Sequence, residues 1–197
     1  SSPPTTSPFR IIHHGSIVHR HGIDLLVEAV ALLLPHIPNL HLDLYGAHTP
    51  FTDTLLTLAS QLGIADHVHY HGPKSQSEIA DAIRSSHLGV IPNRLSPFTE
   101  LNFPTRIFEY LAMHRPVITP DTTGIRDYFP DGGVIPFTPD NLPDLVEKIL
   151  WVKNHPDLAA LTVEKGREIY RNHLWANEKS RFIQLVTSLL TPSPLEN

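Results

Sequence analysis

Hydrophobic positions along this chain follow two alternating rhythms. Short apolar runs read as strands: FRIIHHG (Phe9 to Gly15), HLDLYG (His41 to Gly46), HVHYHG (His67 to Gly72), LGVIP (Leu88 to Pro92), VITP (Val117 to Pro120) and GGVIPF (Gly132 to Phe137). Between them, apolar residues recur every three or four positions. Ile23, Leu26, Val27, Val30 and Leu33 fit a 3.6 period and predict a helix from about Ile23 to Leu34, stopped by Pro35 and Pro38. Helices are also predicted from about Phe51 to Leu62, ended by Gly63, and over QSEIADAIRSS, with Ser75 or Ser77 as its cap. Pro104 suits the first turn of another, in which Ile107, Tyr110 and Leu111 share a core-facing side. GIRDYF reads as one helical turn. Asp140 opens a long helix to about Asn154 with Leu142, Leu145, Ile149 and Val152 on one face, and two more span about Pro156 to Arg171 and Trp175 to Leu190.

This alternation predicts an α/β fold, Rossmann-like, with a mostly parallel open sheet of about six strands flanked by helices and extra C-terminal helices. One domain covers residues 9–190, between a Ser/Pro/Thr-rich linker at 1–8 and a frayed tail at 191–197. Three strands end in glycine, at Gly15, Gly46 and Gly72. A residue without Cβ lets backbone approach a ligand, and equally serves a tight βα turn; three on one sheet edge favour a ligand edge.

Composition narrows the choices. The 197 residues are 41% hydrophobic, enough for a substantial core. The net charge of −5 supplies no basic field for nucleic acid or anionic lipid. With no cysteine there is no disulfide, thiolate zinc site or cysteine nucleophile, a composition that fits the cytoplasm. No signal-peptide pattern opens the chain, and the longest apolar stretch, IDLLVEAVALLL, is too short and too charged to span a bilayer. Among the 14 histidines, His67, His69 and His71 alternate along one strand and so share a side. They fit a polar strand face better than a metal site, and no metal or other cofactor is expected.

The chemistry concentrates between Ser96 and Pro120. Arg106 stands in a helix's first turn, where the dipole disfavours a cation by up to about 1 kcal/mol. A bound anion reverses that sign, and Glu109 a turn later would accept hydroxyl hydrogen bonds from an attached sugar. The same spacing equally suits a surface ion pair between Arg106 and Glu109. There is no GxGxxG after the first strand, which rules poorly for a dehydrogenase; P-loop and GxSxG motifs are absent too. Glycine turns, an arginine at a helix start and a downstream glutamate suit a diphosphate joined to a polyol.

From Phe9 to Leu190 the chain resembles the carboxy-terminal, donor-binding domain of family 4 retaining glycosyltransferases of GT-B fold. The resemblance rests on ordered blocks: HHGSIVHRHGIDLLVEAVALL, LHLDLYG, LGIADHVHYHGPKSQSEIADAI, LGVIPN, FPTRIFEYLAMHRPVIT and VIPFTPDNLPDLVEKI. The central block is similar to members reading PTK(L/I)xEYxAxGxPVI. The resemblance implies a nucleotide-diphosphate sugar as donor substrate, with Gly15 in the first donor loop. Ser16 and His21 stand where many relatives carry the Arg and Lys that hold the diphosphate, so Arg20 or His21 would supply charge there. Arg106 matches the lysine of PTK, and Arg106, Glu100 and Arg20 are the catalytic candidates. Glu109 matches the ribose-binding glutamate. Gly72, Pro73 and Lys74 match the loop bracketing the base; Gly46, Asn102, Phe103, Pro104 and Thr105 complete the donor-binding set.

Three positions depart from the family. Its Glu-x7-Glu pair would start at Leu101, while the acid is Glu100. His114 replaces the glycine after the central helix, and His48 replaces the second glycine after LYG. The resemblance further implies an absent N-terminal acceptor-binding domain, an exposed apolar patch where it would sit, and feeble turnover of this half alone. Hexosyl transfer, with retention, to a glycan or lipid-linked acceptor would occur in the cytoplasm, peripherally at the inner membrane face if the other half binds there. The alternative is a non-catalytic nucleotide-sugar-binding or partner module.

Overall fold

The computed structural model describes residues 8–190; most of the expected linker and all of the expected tail lie outside them. Six strands form one parallel sheet in the order β3-β2-β1-β4-β5-β6. They are β1 (Phe9–His14), β2 (Leu40–Tyr45), β3 (Val68–Tyr70), β4 (Leu88–Val90), β5 (Val117–Pro120) and β6 (Ile135–Phe137). The helices are α1 (Ile23–Leu33), α2 (Pro50–Gln61), α3 (Gln76–Ser85), α4 (Pro97–Leu101), α5 (Arg106–Ala112), α6 (Thr123–Arg126), α7 (Leu142–Asn154), α8 (Pro156–Asn172) and α9 (Trp175–Leu190).

Strand order reverses between β1 and β4, whose register aligns Ile11 with Leu88. Crossovers leave in opposite directions from that point and open a crevice beyond the carboxyl ends of these two strands. Successive strand residues point to opposite faces, so Ile11 and Ile12 enter two separate cores, and both are fully buried. Ile11 packs with α1, α2 and α7. Ile12 packs with Ile83 of α3, Ile107, Tyr110 and Leu111 of α5 and Val163 of α8. All three apolar positions expected on the face of α5 are therefore core. Tyr110 lies flat against β4: a Cβ on Gly89 would come within 2.5 Å of its ring.

Ser75 is the cap of α3, in a reciprocal box with Glu78. Pro104 lies one residue before the α5 N-cap, Thr105, and not within the helix; its carbonyl accepts from the Ile107 N–H at 3.0 Å and closes the first turn. GIRDYF is helical in its first half, as α6. The helix α4 is additional to the predicted elements, a five-residue turn capped by Ser96. Among the described residues, no helix is long and apolar enough to cross a membrane.

After α5 the chain turns through His114 at φ 57°, a left-handed conformation that glycine adopts without strain. His114 is exposed, and its Nδ1 faces Glu164 at 3.5 Å, a weak surface contact. His114→Gly should therefore raise the unfolding free energy by about 1 kcal/mol, read as a higher urea midpoint at unchanged slope.

The last helix contributes no buried residue. Trp175, Phe182, Leu185 and Leu189 are all exposed, Leu189 to 78%. The expected apolar surface patch is present, on this helix.

Candidate functional site

A cleft of about 460 Å³ opens at the β1/β4 switch point. The end of β1 and its loop supply His14, Gly15, Ser16 and His21; Asn93 follows β4; Asn102 to Arg106 and Glu109 form the wall leading into α5. These segments are far apart in sequence and meet only because β1 and β4 are neighbours.

Arg106 is the centre of the cleft. It does not form the surface ion pair with Glu109 that its spacing allowed. Its guanidinium turns inward, donating from Nη1 to the His14 carbonyl at 2.9 Å and from Nη2 to Asn93 Oδ1 at 3.2 Å. Its buried Nε has no partner among the described residues. Among the described residues no carboxylate forms a salt bridge with it. A half-buried cation held by neutral oxygens retains most of its desolvation cost until an anion arrives.

Gly15 makes room for that guanidinium. Its φ of +113° is a glycine conformation, and a Cβ there would stand 2.8 Å from Nη1. Gly46 does not line the cleft; it lies beneath, and a Cβ on it would meet the Gly15 carbonyl at 2.0 Å. Gly15→Ala should lower the unfolding free energy by about 1–3 kcal/mol, measured by urea titration.

The histidines around Arg106 stay neutral near pH 7. Burial, then the Arg106 charge, holds the His13 and His14 imidazoles below their ordinary range, His14 at about 4. His21 is lowered for the same reasons. His13 Nδ1 donates to the Val90 carbonyl at 2.9 Å, and His21 Nδ1 to the Ser16 carbonyl at 2.6 Å; a carbonyl only accepts, so each proton sits on Nδ1. Arg106 is thus the cleft's fixed positive charge. Burial raises the Glu109 carboxyl, against the pull of Arg106, and its Oε2 lies 3.8 Å from His14 Nε2.

Other expected site residues are placed elsewhere. Arg20 is exposed on a 3-10 turn, His19–His21, outside the cleft; of the two candidates for the first loop's charge, only His21 faces inward. Glu100 is also outside. Its Oε1 accepts from the Thr123 backbone N–H at 3.1 Å and from the Thr123 hydroxyl at 2.6 Å, so it caps α6. Gly72, Pro73 and Lys74 lie on the loop after β3, beyond the lining residues, and Lys74 faces Glu78 at 3.5 Å. Ser16, Asn102, Phe103, Pro104 and Thr105 all line the cleft.

His69 Nε2 contacts His41 Nδ1 at 2.6 Å, and His71 Nε2 bonds Asp43 at 2.7 Å. Among the described residues no group of three His, Cys, Asp or Glu side chains could hold a metal ion. His14 and Asn93 are cleft residues that sequence reasoning had not singled out. The available signal was polarity at the end of β1 in FRIIHH and shortly after β4 in LGVIPN.

Comparison with known proteins shows the family and the fold. Residues 2–169 match the family described as glycosyl transferases group 1. A curated D-inositol 3-phosphate glycosyltransferase of Streptomyces avermitilis is 28% identical over 157 residues, 76% of this chain and 32% of that protein. Sucrose-phosphate synthase from Thermosynechococcus elongatus superposes with a TM-score of 0.80 at 22% identity, over 95% of this chain and 47% of its own. HepE of Anabaena, solved in complex with UDP, gives 0.79 at 16% identity, over 92% of this chain and 49% of its own. A glycosyltransferase from Rickettsia africae gives 0.80 at 19% identity, over 96% and 50%. The chain spans about half the length of these structures, and less of the curated relative.

Proposed function

Because the chain belongs to the glycosyl transferases group 1 family, we propose that its cleft binds the diphosphate of a nucleotide-sugar and that the chain is the donor half of a retaining glycosyltransferase of family 4. The observation that carries this reading is the inward, unpaired Arg106 guanidinium at the switch-point crevice. A diphosphate supplies the missing counter-charge, and a forked guanidinium suits two phosphate oxygens. Glu109, half-exposed on the next turn, is positioned to accept from ribose or sugar hydroxyls. HepE, whose fold this chain shares, was crystallised with UDP and with UDP-glucose.

In the reaction we propose, the bond between the sugar's anomeric carbon and the diphosphate breaks, the acceptor hydroxyl oxygen forms its bond on the same face, and its proton passes to the departing diphosphate oxygen. Negative charge grows on the departing diphosphate oxygen, where Arg106 stabilises it. The sugar is a hexose and the acceptor a glycan or a lipid-linked glycan, bound by an N-terminal domain that this chain does not include and that seats against the apolar face of α9. Without that domain, donor binding should be weak and turnover slow, and the full enzyme should work in the cytoplasm.

The test is calorimetric titration with UDP, GDP and ADP. One of the three should bind at sub-millimolar concentration, more tightly than its monophosphate. A flat titration with all three up to about 10 mM would overturn the reading. Binding without glycosyl transfer by the full-length parent would instead favour a non-catalytic module.

A further inference from the structure

A larger hollow, of about 530 Å³, lies at the other end of the sheet. It sits at the amino ends of β1, β4 and β5, across the molecule from the cleft. Phe9 and His87 form an aromatic wall, their ring centroids 5.0 Å apart. Val152 and Val163, both buried, form an apolar one. Arg115 and Lys153 are also in the lining, and among the described residues no carboxylate is.

Neither cation has an acidic partner among the described residues. Arg115 is anchored by donating from Nη2 to the Arg84 carbonyl at 2.5 Å, and its buried Nε is unpartnered. The Lys153 ammonium stands 5.9 Å over the Phe9 ring. Both cations lie near enough to His87 to depress its protonation, after burial as the larger cause. His87 Nδ1 accepts from the Arg10 backbone N–H, which leaves the imidazole proton on Nε2 as a donor. Two fixed positive charges, an imidazole donor and apolar walls thus surround a volume of small-molecule size.

We propose that this hollow is a second binding site, for a phosphomonoester with a short organic body. The dianion matches two cations that lack counter-charges, and the body would rest on the exposed His87 ring at the lip of the apolar walls. This proposal is independent of the nucleotide reading, because the two sites share no residue.

The test is NMR titration of the chain with glucose 6-phosphate, inorganic phosphate and glucose. Glucose 6-phosphate should shift the backbone amides of Phe9, His87 and Lys153, inorganic phosphate should bind about tenfold more weakly, and glucose should not bind. Arg115→Gln and Lys153→Gln should each weaken glucose 6-phosphate about tenfold, and Arg106→Gln should not. Lys153 is exposed, so its variant keeps the fold even if Arg115→Gln does not. No amide shift up to about 10 mM, or shifts at Gly15 and Arg106 that Arg106→Gln abolishes, would overturn the site. Equal affinity for inorganic phosphate and the sugar phosphate would overturn the assignment of an organic body.

Discussion

Arg106→Gln should weaken binding of the preferred nucleoside diphosphate roughly a hundredfold, about 3 kcal/mol, while leaving the empty protein no less stable. Two opposing terms produce this pair of results. In the empty cleft the guanidinium bonds only to the His14 carbonyl and Asn93 Oδ1, and its Nε is orphaned. Removing a desolvated cation that lacks a counter-ion recovers solvation free energy, which offsets the two lost neutral hydrogen bonds. With a diphosphate bound, the same side chain makes charge-assisted bonds to a dianionic group, each worth about 1.5–3 kcal/mol. Arg106→Lys should fall between, because a point charge keeps the attraction and loses the fork. Calorimetry with UDP, GDP and ADP gives the affinities, and urea unfolding of the empty protein gives the stability. Lowered stability with unchanged affinity would make Arg106 a merely structural strut.

Acid should destabilise this protein well above the usual carboxylate range. His14 titrates near pH 4 when folded and near 6.5 when unfolded. Between those values the unfolded chain binds a proton that the folded chain refuses, so stability rises with pH across that window. The contribution is complete above pH 6.5 and is lost as pH falls towards 4, about 3 kcal/mol in all. At pH 5 about 2 kcal/mol of it should be gone. His13, fully buried and shifted in the same direction, adds to the loss. Urea midpoints at pH 7.5 and pH 5 measure the difference, and His14→Asn should shrink it. Arg106→Gln should shrink it too, though less, because burial is the larger cause of the shift. A midpoint that stays flat between pH 7.5 and 5 would refute the account of a dry, cation-bearing cleft.

The parts of the fold visible in the chain are those governed by local periodicity. Strand and helix alternate with regular apolar spacing, so six strands and the core face of α5 could be read without coordinates, and the cap of α3 narrowed to Ser75 or Ser77. Helix α4 escaped because its five residues carry less than two turns of pattern. The site was legible as a region and not as a set of contacts. The spacing of Arg106 and Glu109 is compatible with a surface pair, and only the neighbouring β1 and β4 edges show why the guanidinium points inward. The contact that Glu100 makes was illegible for the same kind of reason. Its partner, Thr123, lies 23 residues further on, and sequence offers no sign of that contact. Asn93 stands just after the strand motif LGVIP, and polarity placed beyond a buried strand at a sheet's carboxyl edge is itself informative.

A crystal of this chain grown with its best-binding nucleoside diphosphate would test the central claim most directly. The phosphates should lie against Gly15 with an oxygen in hydrogen-bond reach of the Arg106 guanidinium, and the ribose should lie towards Glu109. Phosphates bound elsewhere on the surface, with Arg106 still bonded only to the His14 carbonyl and Asn93, would contradict it.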